Sequence, residues 1–390
     1  MTIPVEPSPA FTGDVIVHVF GRTDVGRTRE HNEDAFLVAD LSTDNASLQP
    51  EVRTHVVGRR GTLFMVADGL GGAAAGEIAS ELAVNTVYEE LRDKWARGDR
   101  DDPEAFAAAI KRAAEVANGK IYQFALEHPE NRGLGTTATI AGLLGDTLYL
   151  AQVGDSRAYL VRDGVARQIT KDQSLMQRLI EAGELTPDEA ERSERRNIIL
   201  QALGPEPAVK IDLTYQKLRR GDTLVLCTDG LSGLVKRDEI AEVVSSEMDL
   251  VDVCRELIDR ANEAGGSDNI TVIAARFEGS GLADAEPQDA VGHAPFQLSG
   301  TETPPRSRPR FETARNALHM STPRNGMAVD GEHDGRLDRT ARAWLLALAV
   351  TIVLAGLFLA ARELRDSASS SPSPAPAAHD TTSAGSMRTP

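Results

Sequence analysis

The feature that most constrains the fold recurs in five segments: an apolar, strand-like run with an acidic residue at one end. In "LFMVADGLGG" the apolar run leads straight to Asp68 and then into glycines. The pattern recurs at Glu33 with Asp34, at Asp155, at Asp229 and at Asp268. A carboxylate at the end of a buried strand loses hydration, so each of these side chains needs a compensating partner.

Taken singly, each Asp is more typical of a turn or a strand cap, because Asp is a common turn residue. Five together favour another interpretation, in which the strands are neighbours and the carboxylates meet at their ends. Converging carboxylates repel one another unless a positive charge lies between them. Basic residues close to these segments are scarce, apart from Arg27, Arg29 and Arg157. Divalent cations are the natural partners, and a set of oxygen ligands suits Mg²⁺ or Mn²⁺.

Such a site predicts hydrolytic chemistry. Two cations about 3.5–4 Å apart lower the pKa of a bridging water, which then acts as a nucleophile. Gly69 lets the backbone approach, so that its carbonyl can join the ligands beside Asp68. Arg29, five residues before Asp34, is placed to hold a phosphate dianion with its planar guanidinium. A surface salt bridge is an equally good interpretation of Arg29.

The charge balance narrows the class of substrate. The formal net charge of −17 argues against a nucleic-acid binder, which would need a basic face. It therefore also counts against a two-metal nuclease or phosphodiesterase. The two cysteines, Cys227 and Cys254, form no CxxC motif and favour a reducing compartment without disulfides.

The secondary-structure pattern predicts an α+β domain. Strands are indicated by "TLFMVAD", "DTLYLAQVGDSRAYLVRDG", "GDTLVLCTDG" and "NITVIAARF", and helices are indicated over residues 77–95, 104–126 and 250–264. The strands cluster in hairpin-like groups and do not alternate strictly with helices. This arrangement favours antiparallel sheets with helices packed outside them.

Composition divides the chain into zones. We expect a disordered N-terminus over residues 1–13, a folded domain over 14–278 and a flexible linker over 279–342, which is rich in Pro, Gly, Ala and charge. Residues 343–361 are 19 consecutive uncharged residues, nearly enough at about 1.5 Å each to cross a hydrocarbon core of about 30 Å. A buried core helix is the alternative, but no other part of a core adjoins this segment, so we predict a single transmembrane helix.

The predicted orientation places the folded domain in the cytoplasm, at the cell membrane. No secretory signal opens the chain, and basic residues are slightly more numerous before the span than after it. Residues 362–390 would then form a short disordered tail outside.

Six ordered motifs carry a resemblance that spans about residues 14–277: "RTREHNEDAF", "VADGLGG", "GTTAT", "VGDSRAYL", "CTDGL" and "SDNITVI". In order and rough spacing this region resembles the metal-dependent Ser/Thr protein phosphatases of type 2C, bacterial branch. The resemblance implies a sandwich of two antiparallel β-sheets flanked by helices, with two Mg²⁺ or Mn²⁺ ions at one end. It also implies phosphoprotein substrates, including Ser/Thr kinases and their targets.

The resemblance further implies roles for individual residues. Asp34, Asp68, Asp229 and Asp268 look like the core metal ligands, with Glu33 also at the site and the Gly69 carbonyl binding one ion. Arg29 resembles the arginine that grips phosphate, and Asp155 resembles the residue that joins Asp229 in holding a third, weaker ion. Gly135, Thr136 and Thr137 look structural, and Asn269 looks like a residue that steadies the loop of Asp268. Residues 171–204 resemble a mobile flap beside the substrate groove; an ordinary amphipathic insertion is the alternative.

Three positions depart from the family pattern. Leu70 and Ala73 stand where many members carry His, so the proton for the leaving oxygen must come from water or another group. His31 is close in sequence but is better explained as a supporting or surface residue. Gln173 replaces a frequent His at the start of the flap segment. None of these departures removes a predicted metal ligand.

We therefore predict a membrane-anchored, cytoplasmic phosphatase that hydrolyses phosphoserine and phosphothreonine in one step, without a covalent phosphoenzyme. The main alternative is a catalytically silent, membrane-anchored module that binds or senses phosphoproteins. Such relatives usually lose acidic ligands, whereas this chain keeps all of them.

Overall fold

The computed structural model describes residues 13–43, 54–71, 75–131, 133–246 and 248–299. Within them the fold is a sandwich of two six-stranded antiparallel sheets with helices outside, which confirms the predicted α+β class. No helix of these residues is both long and apolar enough to cross a membrane. The predicted span 343–361 and the predicted tails lie outside the described residues, so these remain predictions.

The first sheet has the strand order β3-β1-β12-β11-β8-β9, and the second has the order β10-β7-β6-β4-β2, with β5 paired to β4. The strands are β1 (Ile16–Asp24), β2 (Asp34–Asp40), β3 (Thr54–Val56), β4 (Thr62–Leu70), β5 (Gly135–Thr136), β6 (Ala138–Leu144), β7 (Thr147–Val153), β8 (Arg157–Arg162), β9 (Val165–Gln168), β10 (Asp212–Lys217), β11 (Thr223–Cys227) and β12 (Ile270–Glu278).

Helices cover the outer face of each sheet. The described helices are α1 (Ala75–Glu90), continued by a π-helical turn (Leu91–Ala96), α2 (Pro103–Glu127), a 3₁₀ turn (Pro129–Asn131), α3 (Leu175–Ala182), α4 (Pro187–Glu191), α5 (Asp229–Ser232), α6 (Arg237–Val244) and α7 (Leu250–Glu263). Three of the helices match the predicted segments 77–95, 104–126 and 250–264. Asp102 fixes the start of α2, because its carboxylate accepts a hydrogen bond from the Ala105 amide at 2.8 Å.

Strand β4 shows why the apolar runs read as buried strands. Leu63, Met65 and Ala67 face the layer that contains α1 and α2, whereas Phe64 and Val66 face the space between the two sheets. All five are fully buried, because successive side chains of a strand point to opposite faces and both faces are covered. An uninterrupted apolar run is the result.

The end of the domain differs from the predicted boundary at residue 278. Residues 279–299, the first part of the predicted linker, pack back across β10. The amide of Tyr215 donates to the Ala294 carbonyl at 3.0 Å, and the amide of Phe296 donates to the Leu213 carbonyl at 2.8 Å. The Phe296 ring packs edge-on against Tyr149 and Tyr215. This segment extends the ladder at the edge of the second sheet and partly buries the Phe296 side chain. Its composition does not predict either contact.

Candidate metal centre

Asp34 and Asp68 face each other across two paired strands. Asp34 is the first residue of β2, and it stands directly opposite Asp68 in the antiparallel register with β4. Directly opposed residues of a strand pair project from the same face, and like charges in that position repel. The second sheet therefore places two carboxylates side by side at one end of the sandwich.

The first sheet brings two more carboxylates to the same end. Asp229 begins α5, immediately beyond the end of β11, and Asp268 lies two residues before β12 begins. Because β11 and β12 are antiparallel neighbours, the end of one strand lies beside the start of the other. Asp155 lies in the connection between β7 and β8, so that it links the second sheet to the first. The five acidic segments therefore converge at one end of the sandwich, as the sequence predicts, and the charges of the other four Asp residues act on Asp68.

The threonine at position 228 has a contact that the sequence analysis missed. Its hydroxyl donates to Asp34 Oδ2 at 2.8 Å and accepts a hydrogen bond from the Thr271 amide at 3.0 Å. The hydroxyl thus ties a carboxylate of the second sheet to the first sheet. Its position directly before Asp229 in "CTDG" is the only sequence signal for this role.

Three carboxylate oxygens of this cluster are buried without a hydrogen-bond partner: Asp34 Oδ1, Asp155 Oδ1 and Asp229 Oδ1. Leaving a buried acceptor unsatisfied costs about 1–3 kcal/mol, and more for a charged group. Hard divalent cations take oxygen ligands of this kind. The donor set therefore fits Mg²⁺ or Mn²⁺, and the orphaned oxygens are the observation on which that fit rests.

The carboxylates are not already gathered into a closed cage. Over the described residues, no group of three or more Asp, Glu, His or Cys side chains has the spacing of a complete metal site. Like charges at one end of a sandwich repel one another unless a cation lies among them. A closed set of metal ligands generally forms only when the ion is bound, because the ion holds the ligands together.

Burial shifts the protonation of this cluster. Burial raises the pKa of Asp34 to about 7, and the charges of Asp229 and Asp268 act in the same direction. Burial, reinforced by Asp229, likewise raises the pKa of Asp155 to about 7. The pKa of Asp68 lies well above its usual range, chiefly through burial and then through Asp34. Without a cation these side chains therefore keep their protons to a higher pH than an exposed Asp does.

Arg29 lies at the edge of this cluster. Its Nη2 donates to Asp268 Oδ2 at 2.9 Å, while 48% of the arginine side chain remains exposed. Arg29 does form a salt bridge, but its partner is one of the predicted metal ligands. The salt bridge therefore places Arg29 where it could also bind a phosphate. The pKa of Arg29 is raised by the carboxylates of Asp268, Glu33 and Asp68, which act against the opposing effect of burial. The guanidinium is thus charged and partly accessible.

Glycine is required where Glu33 and Gly69 approach each other. The amide of Gly69 donates to the Glu33 carbonyl at 3.1 Å. A Cβ at position 69 would lie 2.2 Å from the Gly76 carbonyl oxygen, and a Cβ at position 76 would lie 2.7 Å from Glu33 Oε2. The backbone contact at position 69 excludes any side chain there, and a Cβ at position 76 would also lie 2.9 Å from the Gly69 carbonyl carbon.

Asn269 fixes the loop that carries Arg29. Its amide group donates to the carbonyls of Val25 at 3.0 Å and His31 at 2.9 Å, and its Oδ1 accepts from the Glu33 amide at 2.8 Å. It therefore steadies the residues between β1 and β2 as well as its own loop. The His31 side chain is exposed, in agreement with the prediction of a surface role.

The "GTT" segment, residues 135–137, forms hydrogen bonds with the backbone of Asp68. Thr137 Oγ1 accepts a hydrogen bond from the Asp68 amide at 3.0 Å, and Thr136 Oγ1 donates to the Asp68 carbonyl at 2.8 Å. The backbone of Thr136 pairs in both directions with Leu203, at the end of the predicted flap. The structural role predicted for these residues agrees with their contacts.

Gln173 connects the other end of the flap to the loop of Asp155. Its amide donates to the Gly154 carbonyl at 2.8 Å, its Oε1 accepts from the Gly154 amide at 3.1 Å, and its carbonyl accepts from the Leu200 amide at 2.7 Å. Leu70 ends β4, whereas position 73 lies outside the described residues. One end of the flap is thus attached to Gly154, directly before Asp155, and the other end to Thr136, which donates to the Asp68 carbonyl.

Known proteins resemble this chain over the same region. The sequence profile of the protein phosphatase 2C family matches residues 43–272. The serine/threonine phosphatase stp of Listeria monocytogenes is 35% identical over 257 residues, which are 66% of this chain and 94% of that protein. The crystal structure of the Mycobacterium tuberculosis serine/threonine phosphatase PstP/Ppp is similar at 34% identity and a TM-score of 0.57, covering 67% of this chain and 99% of that one. A structure of the PstP catalytic domain in complex with two manganese ions is similar at 32% identity and a TM-score of 0.56, covering 68% of this chain and 99% of that one.

Proposed function

This chain belongs to the protein phosphatase 2C family and is a serine/threonine phosphatase, and from this premise we propose that it hydrolyses phosphoserine and phosphothreonine in proteins with two Mn²⁺ or Mg²⁺ ions at the carboxylate cluster. The observation that carries the proposal is the set of three buried, unpartnered carboxylate oxygens at one end of the sandwich. The PstP catalytic domain, which is similar over nearly its whole length, contains two manganese ions.

We assign the ions to residues as follows. Asp34, Asp68, Asp229 and Asp268 hold the two core ions, with Glu33 at the same site and the Gly69 carbonyl as a further ligand. Asp155, with Asp229, holds a third and weaker ion. When bound, the ions supply an activated water and positive charge for the phosphoryl group in the transition state. Thr228 keeps Asp34 oriented, since it already donates to one of its oxygens.

The chain's own residues bind and orient the phosphate. The guanidinium of Arg29 is charged, half-exposed and 2.9 Å from Asp268, so that it can hold a phosphate dianion through two parallel hydrogen bonds. Its positive charge adds to the electrostatic stabilisation of the transition state. Leu70 has no proton to give, so the leaving seryl or threonyl oxygen takes its proton from water or from another group.

The location that we propose is the cytoplasmic face of the cell membrane, with the chain anchored by residues 343–361. This proposal rests on the sequence, in which 19 uncharged residues lie between Arg342 and Arg362. Phosphorylated proteins are the substrates, and Ser/Thr kinases and their targets are the proposed partners. Residues 279–299 of the predicted linker pack against the domain.

The test is Mn²⁺-dependent hydrolysis of an aryl phosphate and of a phosphopeptide by the full chain. Asp34→Asn and Asp229→Asn should each lower kcat/KM by about 100-fold or more, the scale of losing one charge-stabilising group. Asp40→Asn is the matched control, since Asp40 is a buried carboxylate at the other end of β2 whose oxygens accept from Ser42 and Thr43. Near-normal turnover by both site variants, or turnover that a chelator does not inhibit, contradicts the proposal.

A further inference from the structure

Strand β2 has an aspartate at each end, and the two differ in how their oxygens are satisfied. Asp40 has a donor for both oxygens, since Oδ1 accepts from the Ser42 amide at 2.8 Å and Oδ2 accepts from the Thr43 hydroxyl at 2.9 Å. Asp34 Oδ2 accepts from the Thr228 hydroxyl at 2.8 Å, whereas Oδ1 is buried without a hydrogen-bond partner. In Asp34 the protein therefore occupies one oxygen and leaves the other bare.

The hydroxyl of Thr228 is fixed in direction. Thr228 is fully buried and is bonded twice to Thr271: its amide donates to the Thr271 carbonyl at 3.1 Å, and its Oγ1 accepts from the Thr271 amide at 3.0 Å. A hydroxyl has a single proton to donate. Because the Thr271 amide takes up one acceptor direction of Oγ1, the proton points to Asp34 Oδ2. The fold itself therefore sets this donor in place.

The side chain of Thr271 is a second hydroxyl near Asp34, but it has another partner. Its Oγ1 lies 2.7 Å from Thr23 Oγ1, which accepts from the side-chain amide of Asn32 at 2.8 Å. Burial raises the pKa of Asp34, and the hydroxyls of Thr271 and Thr228 both act against that rise. The Thr271 hydroxyl is thus shared with Thr23, whereas the Thr228 hydroxyl donates to Asp34.

An occupied oxygen limits how a carboxylate binds a cation. Ca²⁺ takes about six to eight oxygen ligands, and it often binds a carboxylate through both oxygens. Mg²⁺ demands a nearly ideal octahedron of oxygens, and an octahedral oxygen site also suits Mn²⁺. With Oδ2 held by Thr228, Asp34 offers the bare Oδ1 and not the pair of oxygens. A carboxylate that contributes a single oxygen favours the six-coordinate ions.

We propose that Thr228 is a positioning residue that determines which metal the cluster accepts: its hydroxyl keeps Asp34 a ligand through one oxygen and thereby disfavours Ca²⁺ relative to Mn²⁺ and Mg²⁺. The inference rests on the proposed function, because it concerns the same carboxylate cluster, and it adds a residue that does not itself bind an ion. A purely structural tie between the two sheets would leave no reason for the bare Oδ1, since Asp40 shows that β2 can satisfy both oxygens of an aspartate.

The test is the ratio of the dissociation constants for Ca²⁺ and Mn²⁺, measured by calorimetric titration of the chelator-treated full chain. Thr228→Val removes the hydroxyl and nearly preserves the shape. Ca²⁺ should then gain about threefold to tenfold in affinity relative to Mn²⁺, the scale of one hydrogen bond. Thr228→Ser keeps the hydroxyl and should keep the wild-type ratio.

Thr62→Val is the matched control for removing a buried threonine hydroxyl. Thr62 is fully buried at the opposite end of β4 from Asp68, and its hydroxyl is hydrogen-bonded to His55 Nε2 at 2.8 Å. The ratio of the two dissociation constants should be the same in this variant as in the wild type. A change equal to that of Thr228→Val would show that loss of a buried hydroxyl anywhere alters the ratio, and it overturns the inference.

A second variant covers the case in which Thr228→Val does not fold, because that substitution leaves the Thr271 amide without its acceptor. Thr228→Cys keeps a weak acceptor beside this amide and has only a weak donor for Asp34, so its ratio should shift in the same direction by a smaller amount. An unchanged ratio in the folded variants that lack the hydroxyl, an equal shift in Thr228→Ser, or a wild type that binds Ca²⁺ as tightly as Mn²⁺ overturns the inference. Absence of Mn²⁺ binding by the wild type would instead overturn the proposed function on which it rests.

Discussion

Two of the regions in which the described residues bury carboxylates do so in opposite ways. At the end of the sandwich away from the metal centre, Asp222 is 1% exposed and Arg162 is 9% exposed. Arg162 donates to both oxygens of Asp222, at 2.8 and 2.6 Å, and the Arg219 amide donates to Oδ2 at 2.7 Å. At the metal centre Asp34, Asp155 and Asp229 each retain a buried oxygen with no donor at all.

The difference shows which cation each region is built for. For Asp222 the chain supplies a guanidinium, and the opposite charge offsets part of the cost of burial, although burial still raises the pKa of Asp222. At the metal centre Arg29 is partly exposed, and Arg157, whose charge reaches Asp155 and Asp229, is already paired with Asp172. Two arginines do not balance several carboxylates, so further positive charge must come from outside the chain. Loss of a carboxylate should therefore destabilise the first region and stabilise the second while no metal is bound.

The largest effect on stability is expected at the paired carboxylate. Asp222→Asn leaves Arg162 buried without its counter-charge, and it should lower the free energy of unfolding by about 3 kcal/mol. Urea unfolding followed by circular dichroism measures this change. Asp101→Asn, which removes the exposed partner of Arg59, is the control and should leave the midpoint nearly unchanged. Equal urea midpoints for the two variants would show that the loss of stability does not depend on whether the ion pair is buried.

At the metal centre we expect the free energy of unfolding to change in the opposite direction. In chelator-treated protein Asp229→Asn removes one charge from a repelling cluster, and the introduced amide can donate to Asp68. The free energy of unfolding should rise by about 1 kcal/mol, by analogy with the cost of like charges placed side by side. A loss of stability in metal-free protein, comparable to that of Asp222→Asn, would mean that Asp229 has a partner after all.

The convergence of these carboxylates could be predicted from the sequence, because apolar runs define strands and each run has an acid at one end. Antiparallel pairing then brings Asp229 and Asp268 together without further information. The contact of Thr228 with Asp34 could not be predicted, because it joins two sheets across 194 residues of chain. The metal ligands themselves stay predictions, since their roles depend on ions and not on the fold alone.

The segment 279–299 marks a different limit of sequence reasoning. Its content of Pro, Gly, Ala and charge is typical of a linker. It is nevertheless held by the edge of β10 and by a bidentate pair in which Arg219 donates to both oxygens of Asp289 at 2.6 and 2.7 Å. Edge pairing uses backbone groups, which leave no trace in composition. Only the single aromatic residue Phe296 hints at burial.

The stability of metal-free protein should also depend on pH in a defined direction. Asp34 and Asp155 have a pKa of about 7 in the folded state and 3.8 as the reference value. Because the folded pKa is raised, their favourable contribution is complete below pH 3.8 and is lost as the pH rises through about 7. The melting temperature should therefore fall between pH 5.5 and pH 8.

The pH dependence of the melting temperature needs a control. Burial lowers the pKa of His55, so the contribution of His55 to stability grows as the pH rises. The difference between the wild type and Asp34→Asn isolates the contribution of Asp34. The variant should show a weaker fall than the wild type. A steeper fall in the variant, or parallel curves, would contradict the assignment.

The smallest effect concerns the attachment of the flap. Gln173→Ala removes the contacts of the side chain with the Gly154 amide and with the Lys210 carbonyl, the latter at 3.2 Å. We expect a loss of at most about 1 kcal/mol in global stability, because the backbone pairing remains. Trypsin cleavage at Arg195 and Arg196 should nonetheless become several-fold faster. Gln177→Ala, which removes only an exposed contact with Glu181, should leave cleavage unchanged.

The central claim, that these carboxylates await cations from solution, is tested most directly by calorimetric titration of chelator-treated protein with MnCl₂ at pH 7. The wild type should bind at least two ions per chain and release protons, because carboxyl groups with a pKa of about 7 must ionise on binding. The heat should therefore change with the ionisation enthalpy of the buffer, and Asp34→Asn should bind fewer ions or bind them more weakly. Absence of binding in the wild type, or an isotherm identical to that of Asp34→Asn, would contradict the account.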